Sequence, residues 1–240
     1  MNRATANTVP AIGWMLLEVL QRPDLLLRVR EEVAPYISRD PSDPSQMVVD
    51  IPNLCSRPLI QSIYAEVLRF RSGTVINRVP TSSDFHIGGW HFKKGEQIIV
   101  SNYNTGRNQS VWNQGTFEDP HPVDEFWPES FIVYPDNPNS GPVLQQEAKK
   151  EQDATDSKPT FCLNGTAGSW IPYGGGTRMC PGRHFAKEEM IVTMAMFLTA
   201  FDIQLLTDNN SWIQPDLNYF MFGVMHPKGK IPARIRKREF

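Results

Sequence analysis

Several features that would mark a functional class are scarce or missing in this 240-residue sequence. The three cysteines are widely spaced, and neither a CxxC pair nor a Cys/His cluster with zinc spacing occurs, which excludes a zinc finger and a disulfide framework. Positive charge is not in excess, because 24 Lys and Arg stand against 26 Asp and Glu, for a formal net charge of −2. A basic surface that would hold nucleic acid is therefore excluded.

Long apolar runs are missing as well. The longest, residues 11–17 and 190–201, fall short of the ~20 residues that a membrane-spanning helix needs. Proline, in contrast, is abundant, with 20 residues in the chain, and most of them lie between Pro41 and Pro172. Because proline interrupts helices, the middle of the chain is predicted to be rich in loops.

The spacing of apolar residues predicts the secondary structure. Steps of three and four predict four helices, over residues 1–22, 23–37, 58–70 and 182–200. In the first of them the buried stripe is predicted to consist of Ile12, Met15, Leu16, Val19 and Leu20. Short strands are predicted over 74–80, 84–92 and 96–101, and the second of these segments is predicted to turn at Gly88-Gly89. A linker is predicted over 40–56, and residues 103–160 show little periodicity. The predicted fold class is α+β, mainly helical with small β-sheets.

The most informative segment is the cysteine loop, residues 170–187, which reads WIPYGGGTRMCPGRHFAK. Its three consecutive glycines let the backbone pass close to a flat ligand. Cys180 precedes a helix N-terminus, which favours a thiolate, and Arg178 can bind a carboxylate. Together these groups are typical of a haem bound through cysteine sulfur. A phosphate-binding loop is the alternative, but no Gly-Lys-Ser/Thr follows the glycines.

Tyr-Gly-Gly-Gly-Thr-Arg-Met-Cys-Pro-Gly resembles the haem-thiolate signature of the cytochrome P450 family, Phe-x-x-Gly-x-Arg-x-Cys-x-Gly, with Tyr173 in place of Phe. The resemblance implies heme b (iron protoporphyrin IX) as the cofactor and Cys180 as the axial ligand of its iron. It also implies that Arg178 contacts a haem propionate and that Gly174 and Gly182 line the cofactor.

Two further motifs resemble those of the family. Glu66-Val-Leu-Arg69 matches Glu-x-x-Arg, and three-residue spacing places both side chains on one helix face, where they can pair. The implied role is a buried ion network that holds the cysteine loop. Phe-Trp-Pro-Glu-Ser-Phe resembles Phe-x-Pro-Glu-Arg-Phe, but Ser130 replaces the arginine, so we expect Glu66 to have one cationic partner instead of two. Arg78 falls where the family often has a second propionate contact; an exposed strand arginine is the alternative.

The opening helix departs from the family pattern. The resemblance places Ala6-Asn7-Thr8 at the oxygen-activating segment, where an acid followed by threonine is common. Ala6 cannot relay a proton, and Asn7 replaces the hydroxyl; we expect Asn7 and Thr8 to be the catalytic residues. This segment resembles the branch with sterol 7α- and 12α-hydroxylases and prostacyclin synthase. The alternative is that Asn7 is only an N-cap.

The resemblance covers the chain but corresponds to the C-terminal half of the family fold. Residues 1–22 would be the distal haem helix, 58–70 the Glu-x-x-Arg helix, and 170–200 the cysteine loop with the proximal helix, while 145–157 would be a surface insertion. The chain is expected to be a truncated cytochrome P450 domain without the family's membrane anchor. The family implies the cytosolic face of the endoplasmic reticulum membrane.

The implied function is that of a monooxygenase, which inserts oxygen into an apolar small molecule such as a sterol, a terpenoid or another secondary metabolite. Its electrons would come from NADPH through cytochrome P450 reductase. Two alternatives stay open at this point. One is an isomerase or dehydratase of a peroxide substrate, which needs no proton relay, and the other is a non-catalytic truncated remnant.

Overall fold

A computed structural model describes residues 6–144, 158–207 and 213–239. Its helices are α1 (Thr8–Leu20), α2 (Pro23–Val33), α3 (Ile51–Leu54), α4 (Pro58–Arg71), α5 (Asn102–Thr105) and α6 (Arg183–Ala200). Its strands are β1 (Ile37–Arg39), β2 (Met47–Val49), β3 (Val75–Arg78), β4 (Phe85–Ile87), β5 (Trp90–Phe92), β6 (Ile98–Ser101), β7 (Ile132–Val133), β8 (Thr160–Phe161), β9 (Phe201–Leu205) and β10 (Ala233–Lys237).

The strands form antiparallel pairs: β1 with β2, β3 with β6, β4 with β5, β7 with β8, and β9 with β10. The β4–β5 hairpin turns at Gly88 and Gly89, whose φ angles of +56° and +82° suit glycine and confirm the predicted turn. The predicted mixture of helices with small sheets is confirmed.

Helix α4 lies at the centre of the core. All of its residues except Pro58 and Gln61 are buried, and it packs against α1, α2 and α6. The N-cap residue of α4 makes no side-chain capping bond, and Glu32 of α2 caps the helix instead. The Glu32 carboxylate accepts hydrogen bonds of 3.0 Å from the backbone N–H groups of Leu59 and Ile60. Burial raises the pKa of Glu32, and these two bonds partly counter the rise.

The predicted buried stripe of α1 is confirmed in part, because Met15 and Val19 are fully buried. Ile12, Leu16 and Leu20 are only half-buried, whereas Trp14 and Glu18 are fully buried. The reason is that each of the latter two has a polar partner in the core. Trp14 Nε1 donates a 2.6 Å hydrogen bond to the backbone carbonyl of residue 225, and Glu18 forms ion pairs. Apolar spacing alone cannot reveal such partners.

The predicted linker over 40–56 is also partly wrong, because it contains β2 and α3. Strand β2 pairs with β1 in the register Ile37↔Val49, and Asp43 begins the intervening turn by accepting a 2.9 Å bond from the Gln46 backbone. Likewise β7 lies within the aperiodic stretch 103–160, and β8 begins at its end. These strands have two or three residues each, too few to show a period. The expected insertion over 145–157 lies outside the described residues.

A buried ion network joins α1 to the end of α4. Glu18 Oε1 accepts bonds of 3.0 and 2.6 Å from Nε and Nη2 of Arg71, while Oε2 accepts a 2.8 Å bond from Arg22. The Arg71 guanidinium lies 3.9 Å from the centre of the Trp14 ring. Burial lowers the pKa of Arg71, and Glu18 opposes this effect. Glu18 therefore offsets part of the cost of burying the Arg71 guanidinium.

We expect the Glu18→Gln substitution to destabilise the protein by about 3 kcal/mol, because it leaves Arg71 charged and buried without a carboxylate. The measurement is the free energy of unfolding from denaturant titration. Glu31→Gln, at an exposed position of α2, is the matched control and should leave it unchanged. Equal stability of the two variants would contradict a structural role for the network.

Candidate functional site

The cysteine loop connects β8 to α6 and is closed by its own backbone. The Cys180 N–H donates a 3.0 Å hydrogen bond to the Tyr173 carbonyl, and the Met179 N–H donates one of 3.1 Å to Gly176. Gly174 and Gly176 have φ angles of +77° and +67°. A side chain is strained in this region, so the loop needs glycine at both positions.

The Cys180 side chain is exposed, as is every residue from 176 to 182. Cys180 lies three residues before Arg183, the first residue of α6, whose guanidinium donates a 3.2 Å bond to the Cys180 carbonyl. A Cβ added at Gly174 or Gly182 would meet no atom within 4 Å. The thiol therefore lies on an open face, next to the positive end of a helix dipole.

Three hydrogen bonds anchor the start of this loop to the core. Trp170 Nε1 donates a 3.0 Å bond to the Ala65 carbonyl of α4, and the Ile171 N–H donates a 3.0 Å bond to Asn102 Oδ1. The hydroxyls of Tyr173 and Tyr64 lie 2.8 Å apart. Tyr173 thus gains a bond that phenylalanine could not make.

Both tyrosines of this pair titrate above their ordinary range. Burial is the main cause, and it raises the pKa of Tyr64 and that of Tyr173. The pair is therefore a neutral hydrogen bond at physiological pH, with one hydroxyl as donor and the other as acceptor. This hydrogen bond could not be predicted from local sequence patterns, because the two tyrosines are 109 positions apart.

The structure brings Glu66 and Arg69 together as the spacing predicts. Arg69 donates two bonds of 2.6 Å to the Glu66 carboxylate, and both side chains are buried. Glu66 has one cationic partner, as expected, but Ser130 Oγ and the Trp127 N–H donate further bonds of 2.9 and 3.0 Å. The shorter Ser130 thus supplies a neutral donor at the position where the motif has arginine.

Arg69 also fixes the chain that follows β6. Its remaining N–H groups donate to the backbone carbonyls of Gly106, Val123 and Glu125, the last two at 2.9 and 3.1 Å. The guanidinium therefore has carbonyl partners as well as a carboxylate. This segment leads to Trp127 and Ser130, which donate hydrogen bonds to Glu66. Both members of the buried ion pair therefore hold this segment.

The two predicted propionate contacts occupy different surroundings. Arg78 extends from β3 onto the cysteine loop, where Nη2 donates a 2.6 Å bond to the Gly175 carbonyl, and its side chain stays exposed. Arg178 lies in a 3-10 turn over Gly176–Arg178 and is exposed. Within the described ranges no hydrogen bond or ion pair of the Arg178 side chain is found. Binding of propionates by either residue stays a prediction.

Asn7 and Thr8 lie at the start of α1. Asn7 occupies the N-cap position, but its side chain does not cap the helix. Its Oδ1 accepts instead a 3.1 Å hydrogen bond from the backbone N–H of Val224. Thr8 is buried, and residues 1–5 lie outside the described residues. The N-cap alternative therefore holds for the position of Asn7 but not for its side chain.

A chain of contacts leads from α1 to the cysteine loop. The Gly223–Val224 segment contacts Asn7, and Met221 of the same turn bridges to Thr74. Thr74 Oγ1 in turn donates a 3.1 Å bond to the carbonyl of Pro172, within the loop. The segments that were predicted to lie on either side of the cofactor are thus linked through residues that the sequence did not single out.

Comparison with known proteins identifies the family of the chain. A family model described as Cytochrome P450 matches residues 1–233. The chain is 45% identical over 237 residues to cytochrome P450 monooxygenase efuG of Hormonema carpetanum, and 44% identical over 236 residues to fsoE of Humicola fuscoatra. These matches cover 98% of this chain but 41% and 40% of the relatives.

A more distant relative, cytochrome P450 monooxygenase calL of Penicillium decumbens, is 32% identical over 214 residues. That match covers 88% of this chain and 34% of the relative. The chain thus spans about two-fifths of the length of its two most similar relatives named above. With a family model that matches nearly all of its residues, the chain belongs to the cytochrome P450 family.

Proposed function

We propose that this chain forms the C-terminal, haem-binding half of a cytochrome P450 monooxygenase that acts on an apolar small molecule. The observation that carries the proposal is the exposed Cys180 thiol, which lies before α6 in a loop that hydrogen bonds fix to α4. In this proposal residues 1–22 are the distal haem helix, 58–70 the network helix, and 170–200 the cysteine loop with the proximal helix.

The residues of the open face fit a haem. The group is flat and largely apolar, and it carries two carboxylates. Open space over Gly174 and Gly182 suits a flat partner, and the exposed Met179 offers apolar contact. The exposed guanidinium groups of Arg78 and Arg178 suit carboxylates. Cys180 supplies a sulfur that can bind iron as the thiolate.

Each group of the chain has a proposed task. When bound, a haem would supply the oxygen chemistry, because a thiolate ligand donates electron density to the iron. Cys180 holds the iron, Arg78 and Arg178 orient the propionates, and Glu66 with Arg69 keeps the loop in place. Asn7 would donate a hydrogen bond from its amide NH2 group, and Thr8 would hold or move a proton at its hydroxyl.

The proposed substrate is an apolar secondary metabolite, and the resemblance around Asn7 favours a sterol or terpenoid. The three fungal relatives reported above are named as monooxygenases. These names favour oxygen insertion over the alternative isomerase or dehydratase reaction. We propose NADPH as the source of electrons, through cytochrome P450 reductase.

The proposed place of action is the cytosolic face of the endoplasmic reticulum membrane, which the family resemblance supports. None of the helices in the described part of the chain has the length and apolar character needed to cross a membrane.

The α6 N-terminus is the proposed docking site for the reductase, with Arg183 as its charged contact. Arg183 and Lys187, one turn further along α6, are both half-buried. The Lys187 Nζ donates a hydrogen bond to the Gln61 side chain, whereas the Arg183 guanidinium bonds a backbone carbonyl of the cysteine loop. Burial lowers the pKa of Lys187. Lys187 therefore fits a structural role better than a role in recognition of an acidic partner.

We expect the Cys180→Ala substitution to abolish the red-shifted Soret band that thiolate-ligated haem shows when the reduced protein binds carbon monoxide. The band depends on the sulfur ligand, so its loss tests the assignment of the ligand directly. Cys55→Ala and Cys162→Ala are matched controls, because both cysteines are half-buried elsewhere, and each variant should keep the band. A Cys180→Ala protein that retains the band would refute the proposal.

We expect Glu66→Gln to lower the free energy of unfolding by about 3–5 kcal/mol, because it leaves Arg69 charged in the core. Haem retention should fall with it, since the network positions the cysteine loop. Ser130→Ala removes one neutral donor and should cost only about 1 kcal/mol. Denaturant titration and the haem-to-protein absorbance ratio are the measurements. Full stability and full haem content in Glu66→Gln would show that the loop does not depend on this pair.

We expect Arg183→Glu to slow reduction by the reductase about tenfold at low salt, with a smaller effect at high salt, because charges at an interface steer association and are screened by salt. Stopped-flow reduction under carbon monoxide measures the rate. Lys187→Gln should lower stability and leave the salt dependence of the rate unchanged. An Arg183→Glu protein with the wild-type rate at every salt concentration would argue against docking at this end of α6.

A further inference from the structure

The backbone N–H of Val224 has an unusual partner. Residues 223–225 run antiparallel to the end of α4: the Gly73 N–H donates a 2.8 Å bond to Gly223, and the Met225 N–H donates one of 3.0 Å to Arg71. Successive residues of an extended strand direct their N–H groups to opposite sides. The Val224 N–H therefore points away from α4, and its acceptor is Asn7 Oδ1 on α1, 3.1 Å away.

This bond decides which way the Asn7 amide faces. An amide side chain has an accepting oxygen and a donating NH2 group, and its hydrogen bonds distinguish the two orientations. A backbone N–H can only donate, so it holds Oδ1 towards Val224 and turns Nδ2 away from it. Asn7 is exposed, and across ranges 6–144, 158–207 and 213–239 its Nδ2 has no hydrogen-bond partner. Two donors are thus free for a ligand.

Gly223 makes room for this contact. Its φ of +113° is a conformation that side chains rarely adopt. A Cβ at this position would lie 2.0 Å from Asn7 Oδ1 and 2.6 Å from its Cγ. Any other residue would therefore displace the Asn7 amide. Val224 itself is buried, so water does not readily replace Asn7 as the acceptor.

The segment is held at both ends, which makes it a firm support. Trp14, seven residues after Asn7 on α1, donates a 2.6 Å bond to the Met225 carbonyl. The neighbouring Met221 bridges to Thr74, which bonds to Pro172 of the cysteine loop. The position of the Asn7 amide is thus linked through one short segment to the loop that carries Cys180.

We propose that Gly223 and Val224 are positioning residues for Asn7. The Val224 N–H fixes the amide so that its NH2 group faces the oxygen-binding side of the haem, and Gly223 leaves the space that this arrangement needs. The inference rests on the proposed function, because it assigns the Asn7 donors to a ligand of the haem. It adds to that function two residues that act through Asn7.

The test uses the full-length, haem-loaded protein with the variants Asn7→Leu and Gly223→Ala. Asn7→Leu removes the amide at similar volume, and Gly223→Ala leaves Asn7 chemically intact but displaces it. The control is Asn104→Leu, at an exposed asparagine of α5. The first readout is hydrogen exchange at the Val224 amide. The second is the C–O stretching frequency of carbon monoxide on the reduced haem, which a nearby N–H donor lowers.

We expect exchange at Val224 to accelerate at least about fivefold in both variants, because a net hydrogen-bond contribution of about 1 kcal/mol is lost. The C–O stretch should move to higher frequency in both, and the control should change neither readout. Because Gly223→Ala retains the Asn7 amide, a matching shift there would show that orientation is what matters.

Three results would overturn the inference. Unchanged exchange in Asn7→Leu would show that the amide does not hold Val224. Faster exchange with an unshifted C–O stretch in both variants would show that the bond is purely structural. A shift in Asn7→Leu alone would show that Val224 does not orient the amide. Absence of the thiolate Soret band in the wild type would refute the proposed function instead, while exchange would still decide the bond.

Discussion

The fold depends on keeping one ion pair charged inside the core. An isolated carboxylate or guanidinium costs several kcal/mol to bury, so Glu66 and Arg69 are tolerable only with a complete set of partners. Arg69 meets two carboxylate oxygens and three backbone carbonyls, and Glu66 accepts from a hydroxyl and an N–H as well. The segment after β6 must therefore close over α4 before this pair is satisfied.

Helix α4 carries a second buried cation, Arg71, which points to a different neighbour. Arg69 binds backbone carbonyls in the segment over 106–125, whereas Arg71 binds Glu18 of α1. The same helix receives the cysteine loop through Tyr64 and Ala65. Helix α4 thus contacts both the cysteine loop and α1, the two segments proposed to lie on either side of the cofactor. A shift of α4 would move the thiol and the start of α1 together.

The parts of the fold that sequence predicts well are those encoded by neighbours along the chain. The four long helices follow from apolar spacing, the β4–β5 turn from its glycine pair, and Glu66–Arg69 from a three-residue separation. The face of α1 was predicted only in part, because the burial of Glu18 depends on a partner 53 residues away. Tyr64–Tyr173 and Asn7–Val224 are likewise long-range contacts, for which no local spacing gives a signal. The loop around Cys180 is recognisable from sequence because its residue types are adjacent.

The contact between Asn7 and Val224 joins residues 217 positions apart, and Trp14 meets Met225 across 211. Closing such a loop costs chain entropy that few contacts repay until the intervening helices have packed. The geometry at the start of α1 is therefore among the last features to form during folding, and among the first to be lost when the core loosens. Partial unfolding would break these contacts at the start of α1 while most helices persist. Helix content is therefore a poor guide to whether the candidate site is intact.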